Sequence, residues 1–459
     1  MKRRADKAKG PRRSAQRGGV VSQVSKTRPG APGFIDRLRV VQIEKPVYNG
    51  AFLARDEGKA IFVPFALPGE QARVRVLDDK GSYATAELVE VMTPAPERIA
   101  ARCPHFGSCG GCHYQHTGYE AQLAFKLAVL RETLTRGGVA FPEDIAVLAG
   151  EPWAYRNRVR LAMDPSGNPA YRGRRSHSFV AIRECPITAP LLISAAFAAA
   201  EVMRSFSPPF RATEIALFCN AEETALLLSV FVARPEKLAF DELAAELREH
   251  IPQLAGVELI LESRRDELPR TIAQWGARSL VYRAAGADYR VDNGAFFQVN
   301  RWLVDALVER VTGGQSGSLA WDLFAGVGLF ARKLAESFED VIAVENAPAA
   351  IEALAANLKS TTGKAVRSST LQFLRENRRG KRPDLMVVDP PRTGLGAEIT
   401  GMIAEIAPPA LTYVSCDPAT LARDLRALVA AGYAMESVTL ADLFPQTFHL
   451  ETVVRMRLP

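Results

Sequence analysis

Residues 318–330 read SLAWDLFAGVGLF, an apolar run that leads into a turn containing two glycines. The pattern predicts a buried β-strand, a tight turn around DLFAGVG and then a helix. Strand-like and helical runs go on alternating from here to the C-terminus. Such alternation indicates an α/β domain with a doubly wound, mostly parallel sheet. We therefore expect a domain of this type over residues 291–459.

Four strand-like runs of this domain end in residues that can bind a ligand or take part in catalysis. The runs are SLAWDLFAG (318–326), DVIAVE (340–345), DLMVVDPP (384–391) and ALTYVSCDP (410–418). In open α/β sheets, ligands bind beyond the carboxyl ends of the strands, where the strand order reverses. Asp322 can accept a hydrogen bond there, and Glu345 stands where an acid would hold a ribose diol. The G-x-G-x-x-G motif of dinucleotide enzymes is incomplete, because Arg332 and Lys333 follow Ala331.

Cys416 is the candidate nucleophile at this edge of the sheet. It lies between a strand and a predicted helix, and a helix N-terminus favours the thiolate form of a cysteine. Glu451 opens the last strand-like run, so its carboxylate can project toward the same edge. Taken singly, the alternatives for these two residues are a buried core cysteine and a surface glutamate. We interpret Cys219 as a core cysteine and His449 as structural.

A thiol and a carboxylate are what methylation of uracil at carbon-5 requires. Carbon-5 is too weak a nucleophile to take a methyl group directly. Thiolate addition at carbon-6 turns the ring into an enolate, which attacks the methyl group of S-adenosylmethionine. A base then removes the carbon-5 proton so that the thiol can leave. Cys416 and Glu451 fit these two roles, with Asp389 on the same edge.

In these motifs the chain resembles the RNA uracil-5-methyltransferase family. The motifs that carry the resemblance are FFQVN (296–300), DLFAGVGLF (322–330), VIAVE (341–345), DPPRTG (389–394), YVSCDPATLARDL (413–425) and DLFPQTFHLETV (442–453). They cover essentially the whole C-terminal third of the chain. Of these motifs, SCDPATLARD (415–424) and FPQTFHLE (444–451) are highly specific to the family.

The resemblance implies a Rossmann-like, S-adenosylmethionine-dependent methyltransferase domain, with Cys416 as nucleophile and Glu451 as proton acceptor. It also implies that Asp389 lies near both the target base and the cofactor. The other residues expected around S-adenosylmethionine are Gln298, Phe324, Leu329, Glu345 and, next to the adenine, Thr370. Leu329 stands where the family often has a polar residue, and the stretch 368–371 lacks the acid that is common there.

Four cysteines form a predicted ligand set, Cys103, Cys109, Cys112 and Cys185. The first three have the spacing C-x5-C-x2-C, and the two intervening glycines allow the backbone to wrap tightly. Four thiols suit a tetrahedral zinc or an iron–sulfur cluster, nearby histidines allow a mixed zinc site, and the spacing leaves these alternatives open. The family resemblance, in CPHFGSCGGCHYQH (103–116) and RECPI (183–187), implies a [4Fe–4S] cluster in a central α+β domain.

Two further regions are expected to bind RNA. Short alternating segments over 34–95 predict a small β-barrel, and FVPFALPGE (62–70) resembles the TRAM type, an OB-like RNA-binding module. The central domain is expected over 96–290, and within it residues 151–185 carry seven Arg against three acids, interleaved with aromatic residues. Arginine beside aromatic rings suits phosphate binding and base stacking.

A basic tail accounts for the positive charge of the chain. The net charge is +7 and residues 1–30 contribute +9, so the rest of the chain sums to −2. The tail, residues 1–33, is rich in Gly, Pro, Ser and Ala, and this composition predicts disorder. Weak binding of a polyanion and a solubilising role are equally compatible with it.

The remaining bulk properties are those of a soluble protein with several domains. The chain has 459 residues, of which 47% are apolar and 24% charged. No apolar run is long enough to cross a bilayer, and no secretory signal follows Met1. We expect a cytoplasmic monomer without membrane contact.

Structured RNA is therefore the expected substrate. The TRAM barrel and the cluster favour 23S ribosomal RNA, and transfer RNA is the alternative. A cytosine-5 methyltransferase would carry a second cysteine where DPPR (389–392) stands. An RNA-binding or RNA-remodelling protein with a secondary methyltransferase role is the remaining hypothesis, and the intact Cys416 and Glu451 argue against an idle site.

Overall fold

The computed structural model describes residues 37–176, 178–234, 239–262 and 269–459. The predicted basic tail, residues 1–33, lies outside the described residues. Within the described part of the chain, no helix has both the length and the apolar character needed to cross a membrane.

Five strands of the N-terminal region close into a barrel in the order β1-β2-β3-β5-β4. Their bounds are Leu38–Val47 (β1), Ala51–Asp56 (β2), Lys59–Pro64 (β3), Gln71–Asp79 (β4) and Tyr83–Thr93 (β5). Alternate side chains of a strand point to opposite faces. The apolar positions of the alternating pattern therefore fill the interior, as Phe52, Ile61 and Val74 do. The barrel predicted from the sequence is confirmed.

The segment after the barrel carries three of the predicted cysteine ligands and packs back on the barrel. The Phe65 and Phe106 ring centroids lie 5.1 Å apart, and Phe106 stacks on His116 at 5.5 Å. Helix α1 (Tyr119–Arg136) and the short strand β6 (Ala146–Leu148) follow. Aromatic contacts therefore fix this segment against the barrel before the central sheet begins.

A seven-stranded sheet forms the central region, in the order β13-β12-β11-β10-β7-β8-β9. Its strands are Arg158–Met163 (β7), Pro169–Arg172 (β8), Phe179–Ala181 (β9), Glu214–Cys219 (β10), Leu226–Val232 (β11), Leu254–Leu261 (β12) and Arg270–Gly276 (β13). Helices α2 (Pro190–Ser205) and α3 (Phe240–His250) pack against this sheet and against each other. Cys219 is fully buried in the resulting core, as the sequence predicted.

The C-terminal region forms an α/β domain around an eight-stranded sheet, in the order β18-β17-β16-β19-β20-β22-β21-β6. A hairpin of β14 (Ser279–Ala284) and β15 (Ala287–Asp292) leads into it. The other elements are Val304–Thr312 (α4), Gly317–Leu323 (β16), Leu329–Leu334 (α5), Phe338–Glu345 (β17), Pro348–Leu358 (α6), Gly363–Arg367 (β18), Thr370–Asn377 (α7), Leu385–Val388 (β19), Gly396–Ile406 (α8), Ala410–Ser415 (β20), Pro418–Ala430 (α9), Ala434–Ala441 (β21) and Glu451–Arg457 (β22).

The strand directions confirm the predicted doubly wound sheet. Strands β16 to β20 are mutually parallel, and β22 runs antiparallel to both β20 and β21. The chain order reverses at β16, which has β17 on one side and β19 on the other, so a ligand crevice is expected at their carboxyl ends. The parallel pairing of β6 with β21 was not predicted, because a three-residue strand carries too short a pattern.

A buried ion pair joins α1 to the α/β domain. Lys126 Nζ lies 2.5 Å from Asp442 Oδ1, and both side chains are almost completely buried. Lys126 Nζ also donates to the Phe444 carbonyl at 2.9 Å. Burial lowers the pKa of Lys126, and Asp442 opposes that shift. The ammonium group therefore ties α1 to the segment between β21 and β22.

We expect Lys126→Met to lower the free energy of unfolding of the α/β domain by about 3–5 kcal/mol, because it leaves the Asp442 carboxylate buried without a cation. Urea denaturation followed by tryptophan fluorescence measures this change, since Trp321 lies in the core of the domain. The matched control is Lys45→Met, which removes a half-exposed ion pair with Glu132 and should cost no more than about 1 kcal/mol. Equal losses in the two variants would contradict the proposed role of the buried pair.

Candidate active site

The turn after β16 is shaped by residues in left-handed backbone conformations and by two carboxylates. Phe324, Gly326 and Gly328 have φ angles of 66°, 56° and 88°. Asp322 Oδ2 accepts the Ala331 N–H at 2.9 Å, and Glu345 Oε2 accepts the Gly326 N–H at 2.8 Å. The φ angle of Gly328 is one that L side chains rarely adopt, and a Cβ atom there would also lie 2.6 Å from the Leu354 side chain, so both features favour glycine. The two acids therefore hold the turn in shape.

A cavity opens beside this turn. The residues that line it are Phe296, Phe297, Gln298, Phe324, Ala325, Gly326, Val327, Leu329, Phe330 and Asp389. Four of the residues expected around S-adenosylmethionine, namely Gln298, Phe324, Leu329 and Asp389, thus share one cavity. Glu345 is not among the lining residues, but it accepts a hydrogen bond from the N–H of Gly326, which is. Thr370 is not among them either; it begins α7 and is buried.

The polar groups of this region fit a ligand that has hydroxyl groups and a positive charge. Asp322 Oδ1 is buried without a hydrogen-bond partner. Burial raises the pKa of Asp322 to about 7, and the neighbouring Asp389 and Glu345 add to that shift. Three acids close together are most stable when a donor or a cation lies among them. The sulfonium and ribose groups of S-adenosylmethionine would supply these features.

Cys416 lies immediately after β20, where the sequence predicted it. Asp417 follows and caps α9, since its Oδ1 accepts the Ala419 and Thr420 N–H groups at 3.0 Å each. Burial raises the pKa of the Cys416 thiol to about 11; Glu451 and Asp389 add to the shift and Arg392 opposes it. This net shift is opposite in direction to the effect that the sequence led us to expect from the helix N-terminus. The physical reason is that burial, with the nearby Glu451 and Asp389 carboxylates, disfavours the charged thiolate.

Glu451 is the first residue of β22 and lies across from Cys416. Ser415 pairs with Thr452 in the antiparallel ladder, so the next residues beyond that pair are Cys416 and Glu451. Glu451 is 5% exposed. Burial and then the nearby Asp389 raise its pKa far above the usual range, while Arg392 opposes the shift. Burial likewise raises the pKa of Asp389. The structure thus brings the three predicted catalytic residues together.

Two residues at this site had no role assigned from the sequence. Arg392 is exposed, and its Nη2 lies 3.2 Å from His449 Nδ1. Burial, followed by the charge of Arg392, lowers the pKa of His449 to about 3, so this imidazole is neutral. Tyr48 of the barrel donates its hydroxyl to Asp417 Oδ2 at 3.2 Å. Arg392 belongs to the DPPRTG motif, so a signal existed, whereas no local signal marked Tyr48.

The loop between β21 and β22, which leads to Glu451, is held by other parts of the chain. The Gln446 carbonyl accepts the His113 and Tyr114 N–H groups at 2.8 and 3.1 Å. The Gln446 N–H and side chain both pair with the Gln122 side chain at 3.0 Å. Tyr155 donates its hydroxyl to the Pro445 carbonyl at 3.1 Å. Residues 103–116, the cysteine segment, therefore position this loop together with α1 and the central region.

One small cavity is lined by all four predicted ligand cysteines, namely Cys103, Cys109, Cys112 and Cys185. Thr188 and Tyr171 donate their hydroxyls to the Cys185 sulfur at 3.2 and 3.6 Å. Burial raises the pKa of Cys112 to about 12; a hydrogen bond with Gln115 opposes this shift, and the other three thiols add to it. Across the described residues, no three His, Cys, Asp or Glu side chains are arranged to hold a single metal ion.

Two family profiles match the chain. The family described as tRNA (Uracil-5-)-methyltransferase matches residues 223–457, just over half of the chain, and the TRAM domain matches residues 38–89. A 23S rRNA (uracil(1939)-C(5))-methyltransferase of Halomonas elongata is 31% identical, with 98% of this chain and 96% of that protein covered. An enzyme of the same name from Aeromonas salmonicida is 34% identical, with 87% of this chain and 92% of its own length covered.

A solved structure shares the fold. The tRNA (uracil-54, C5)-methyltransferase of Pyrococcus abyssi, in complex with S-adenosyl-L-homocysteine, superposes with a TM-score of 0.72 at 22% identity, covering 91% of this chain and 100% of that one. Because a family profile covers more than half of the chain and relatives at 31% and 34% identity cover most of it, the chain belongs to the S-adenosylmethionine-dependent RNA uracil-5-methyltransferase family.

Proposed function

We propose that this protein transfers a methyl group from S-adenosylmethionine to carbon-5 of a specific uridine in 23S ribosomal RNA. The observation that carries the proposal is the grouping of Cys416, Glu451 and Asp389 at the edge of the sheet where the parallel strands have their carboxyl ends and the antiparallel β22 begins, beside the cavity that Gln298 and Phe324 line. The names of the relatives that align over most of the chain support ribosomal RNA as the substrate. The proposal places the protein in the cytoplasm, where ribosomal RNA is found.

Cys416 is the proposed nucleophile. Once the thiol proton has passed to solvent, Sγ bonds to carbon-6 of the uracil, and the electron pair of the carbon-5–carbon-6 double bond moves onto the carbon-4 carbonyl as an enolate. Carbon-5 then takes a methyl group, which S-adenosylmethionine supplies from its sulfonium. Burial raises the pKa of the thiol to about 11, so under this proposal substrate binding lowers that pKa and favours the thiolate. Arg392 is the nearby cation whose charge already acts in this direction.

Glu451 is the proposed base for the second half of the reaction. It removes the proton from carbon-5, the electron pair restores the double bond, and the bond between Sγ and carbon-6 breaks. A carboxylate whose pKa is raised is a stronger base once it is ionised. The burial of Glu451 therefore suits a group that must take a proton from carbon. Asp389, which lines the cofactor cavity, is the proposed contact to the target base.

The surface next to the active site supports RNA as the substrate. A groove runs from the turn between β1 and β2 to the central sheet, and its basic and aromatic lining residues are His113, Arg160, Tyr171, Arg172, Arg174 and Arg175. The Arg174 guanidinium lies over the Phe65 ring at 4.6 Å, and Arg172 lies over Phe179 at 4.3 Å. Arginine and aromatic groups in one groove suit phosphate contacts and base stacking. The target uridine must be flipped out of its stack to reach Cys416.

We infer further that the four cysteines around the second cavity hold a [4Fe–4S] cluster. All four are thiols, the ligand type of such clusters, and hydrogen bonds reach the sulfurs of Cys109 and Cys185. The inferred role is structural, because the same segment supplies the two N–H groups that bind the Gln446 carbonyl.

Deletion of the gene should remove one 5-methyluridine from 23S ribosomal RNA, as measured by nucleoside mass spectrometry and mapping. Complementation with the Cys416→Ala variant should not restore it, because no covalent adduct forms. Glu451→Gln should form the adduct and fail to resolve it, so a protein–RNA band persists on a denaturing gel. Loss of 5-methyluridine from transfer RNA alone would redirect the proposal to that substrate. No loss in any RNA would overturn it.

Alkylation of Cys416 by iodoacetamide in the free protein should speed up by about tenfold per pH unit through the neutral and mildly alkaline range, because only the thiolate reacts. Glu451→Gln should speed alkylation at pH values where Glu451 is ionised, since it then removes a negative charge that raises the pKa of the thiol. Arg392→Gln should slow it, since Arg392 lowers that pKa. Peptide mass spectrometry of the labelled Cys416 peptide gives the rates. A rate that levels off near pH 8 would contradict the raised pKa.

Protein purified without oxygen should contain iron and acid-labile sulfide in equal amounts, about four of each per chain. Cys185→Ser should lower both contents, whereas Cys219→Ser should leave both unchanged because Cys219 is a core residue. Elemental analysis decides between metals, and stoichiometric zinc without sulfide would overturn the inference.

A further inference from the structure

The turn between β1 and β2 of the barrel reaches into the candidate active site. It comprises Tyr48, Asn49 and Gly50, and the last two have left-handed φ angles of 75° and 76°. A Cβ atom at Gly50 would lie 3.1 Å from the side chains of both His113 and Phe448. The barrel backbone at Gly50 therefore lies so close to Phe448, in the loop before Glu451, that a side chain at position 50 would crowd it.

Tyr48 contacts both segments that carry the catalytic groups. Its ring packs edge-on against Phe448, with centroids 5.6 Å apart and an interplanar angle of 89°. Its hydroxyl donates to Asp417 Oδ2 at 3.2 Å. The other oxygen of Asp417 caps α9. The same carboxylate thus joins the barrel to the N-terminus of α9, one residue after Cys416.

We propose that Tyr48 is a positioning residue for the nucleophile and acts through Asp417. The inference rests on the proposed role of Cys416 in uracil methylation. The strand β20 fixes the backbone up to Ser415, and α9 begins at Pro418. Cys416 and Asp417 form the short connection between them, so the orientation of Sγ depends on how the Asp417 carboxylate is held. One oxygen is held by the helix and the other by Tyr48.

The two parts of the Tyr48 side chain have separable functions. The ring contributes apolar packing between the barrel and Phe448, which a phenylalanine would preserve. The hydroxyl contributes a hydrogen bond to a carboxylate, a stronger type of bond than that between neutral groups. Burial, followed by the charge of Asp417, raises the pKa of Tyr48, so the hydroxyl keeps its proton and remains a donor. Tyr48→Phe therefore removes the positioning bond and retains the packing.

The test is the rate of the covalent step with RNA in which the target uridine is replaced by 5-fluorouridine. This base has no proton to lose at carbon-5, so the Cys416 adduct accumulates and is counted on a denaturing gel. At saturating RNA and S-adenosylmethionine, Tyr48→Phe should form the adduct about tenfold more slowly, because small misplacements of a reacting group are costly. Dissociation constants for RNA and S-adenosylmethionine should stay within about twofold of the wild-type values.

Two further variants separate positioning from general packing. Tyr433→Phe also removes one tyrosine hydroxyl bond, to the Pro408 carbonyl at 2.9 Å, near the opposite end of α9, and it should leave the rate unchanged. Asp417→Ser keeps a helix-capping oxygen but removes the acceptor for Tyr48. In that background, Tyr48→Phe should have no additional effect.

Three results would overturn the proposal. The first is a weaker RNA affinity of Tyr48→Phe with a normal rate at saturation, which would make Tyr48 an RNA contact. The second is a full tenfold effect that persists in the Asp417→Ser background. The third is no change at all in Tyr48→Phe. Failure of the wild-type protein to form any adduct would instead count against the proposed function, so the two ideas fail in different ways.

Discussion

The backbone carbonyl of Gln446 is the point on which the assembly of the candidate active site depends. It accepts two N–H groups from the cysteine segment, at 2.8 and 3.1 Å, and the residue itself has a left-handed φ of 68°. Its N–H and side chain are bound by Gln122 of α1. A strained backbone persists only where its surroundings determine it. The loop before Glu451 therefore takes its shape from packing against segments that are more than three hundred residues away in the chain.

The electrostatics of the site follow from the same packing. Glu451, Asp389 and Asp322 are acids brought close together in a region from which water is largely excluded, and burial is the main cause of each raised pKa. A buried carboxylate in such a group holds its proton more tightly. The thiol of Cys416 is also buried beside Glu451 and Asp389, and its pKa is raised for the same reasons. Under the proposed mechanism, the bound substrates must change these protonation states before the covalent bond forms.

Sequence patterns predicted the features that depend on local order. The alternation of the barrel strands, the order of strands and helices in the α/β domain, and the positions of Asp389, Cys416 and Glu451 at strand ends all follow from short stretches of chain. Patterns of this kind carry no information on contacts between distant segments. The ion pair of Lys126 and Asp442 and the bond from Tyr48 to Asp417 each join residues more than three hundred positions apart. The direction of the pKa shift of Cys416 was not predicted for a related reason. The sequence shows that a helix begins next to this residue, but it does not show how deeply other segments bury the thiol.

The division between local and distant determinants also explains why the candidate active site involves every module. The pairing of Ser415 with Thr452 fixes how far apart Cys416 and Glu451 lie, and the sheet alone provides it. The ladder does not fix the segments just outside it, because Asp417 and the loop before Glu451 lie beyond the strand ends. The barrel holds Asp417 through Tyr48, and the cysteine segment together with α1 holds the loop before Glu451. The groove proposed to bind RNA is lined by the barrel, the cysteine segment and the central sheet, so under the proposed function bound RNA would contact two of the modules that hold these segments.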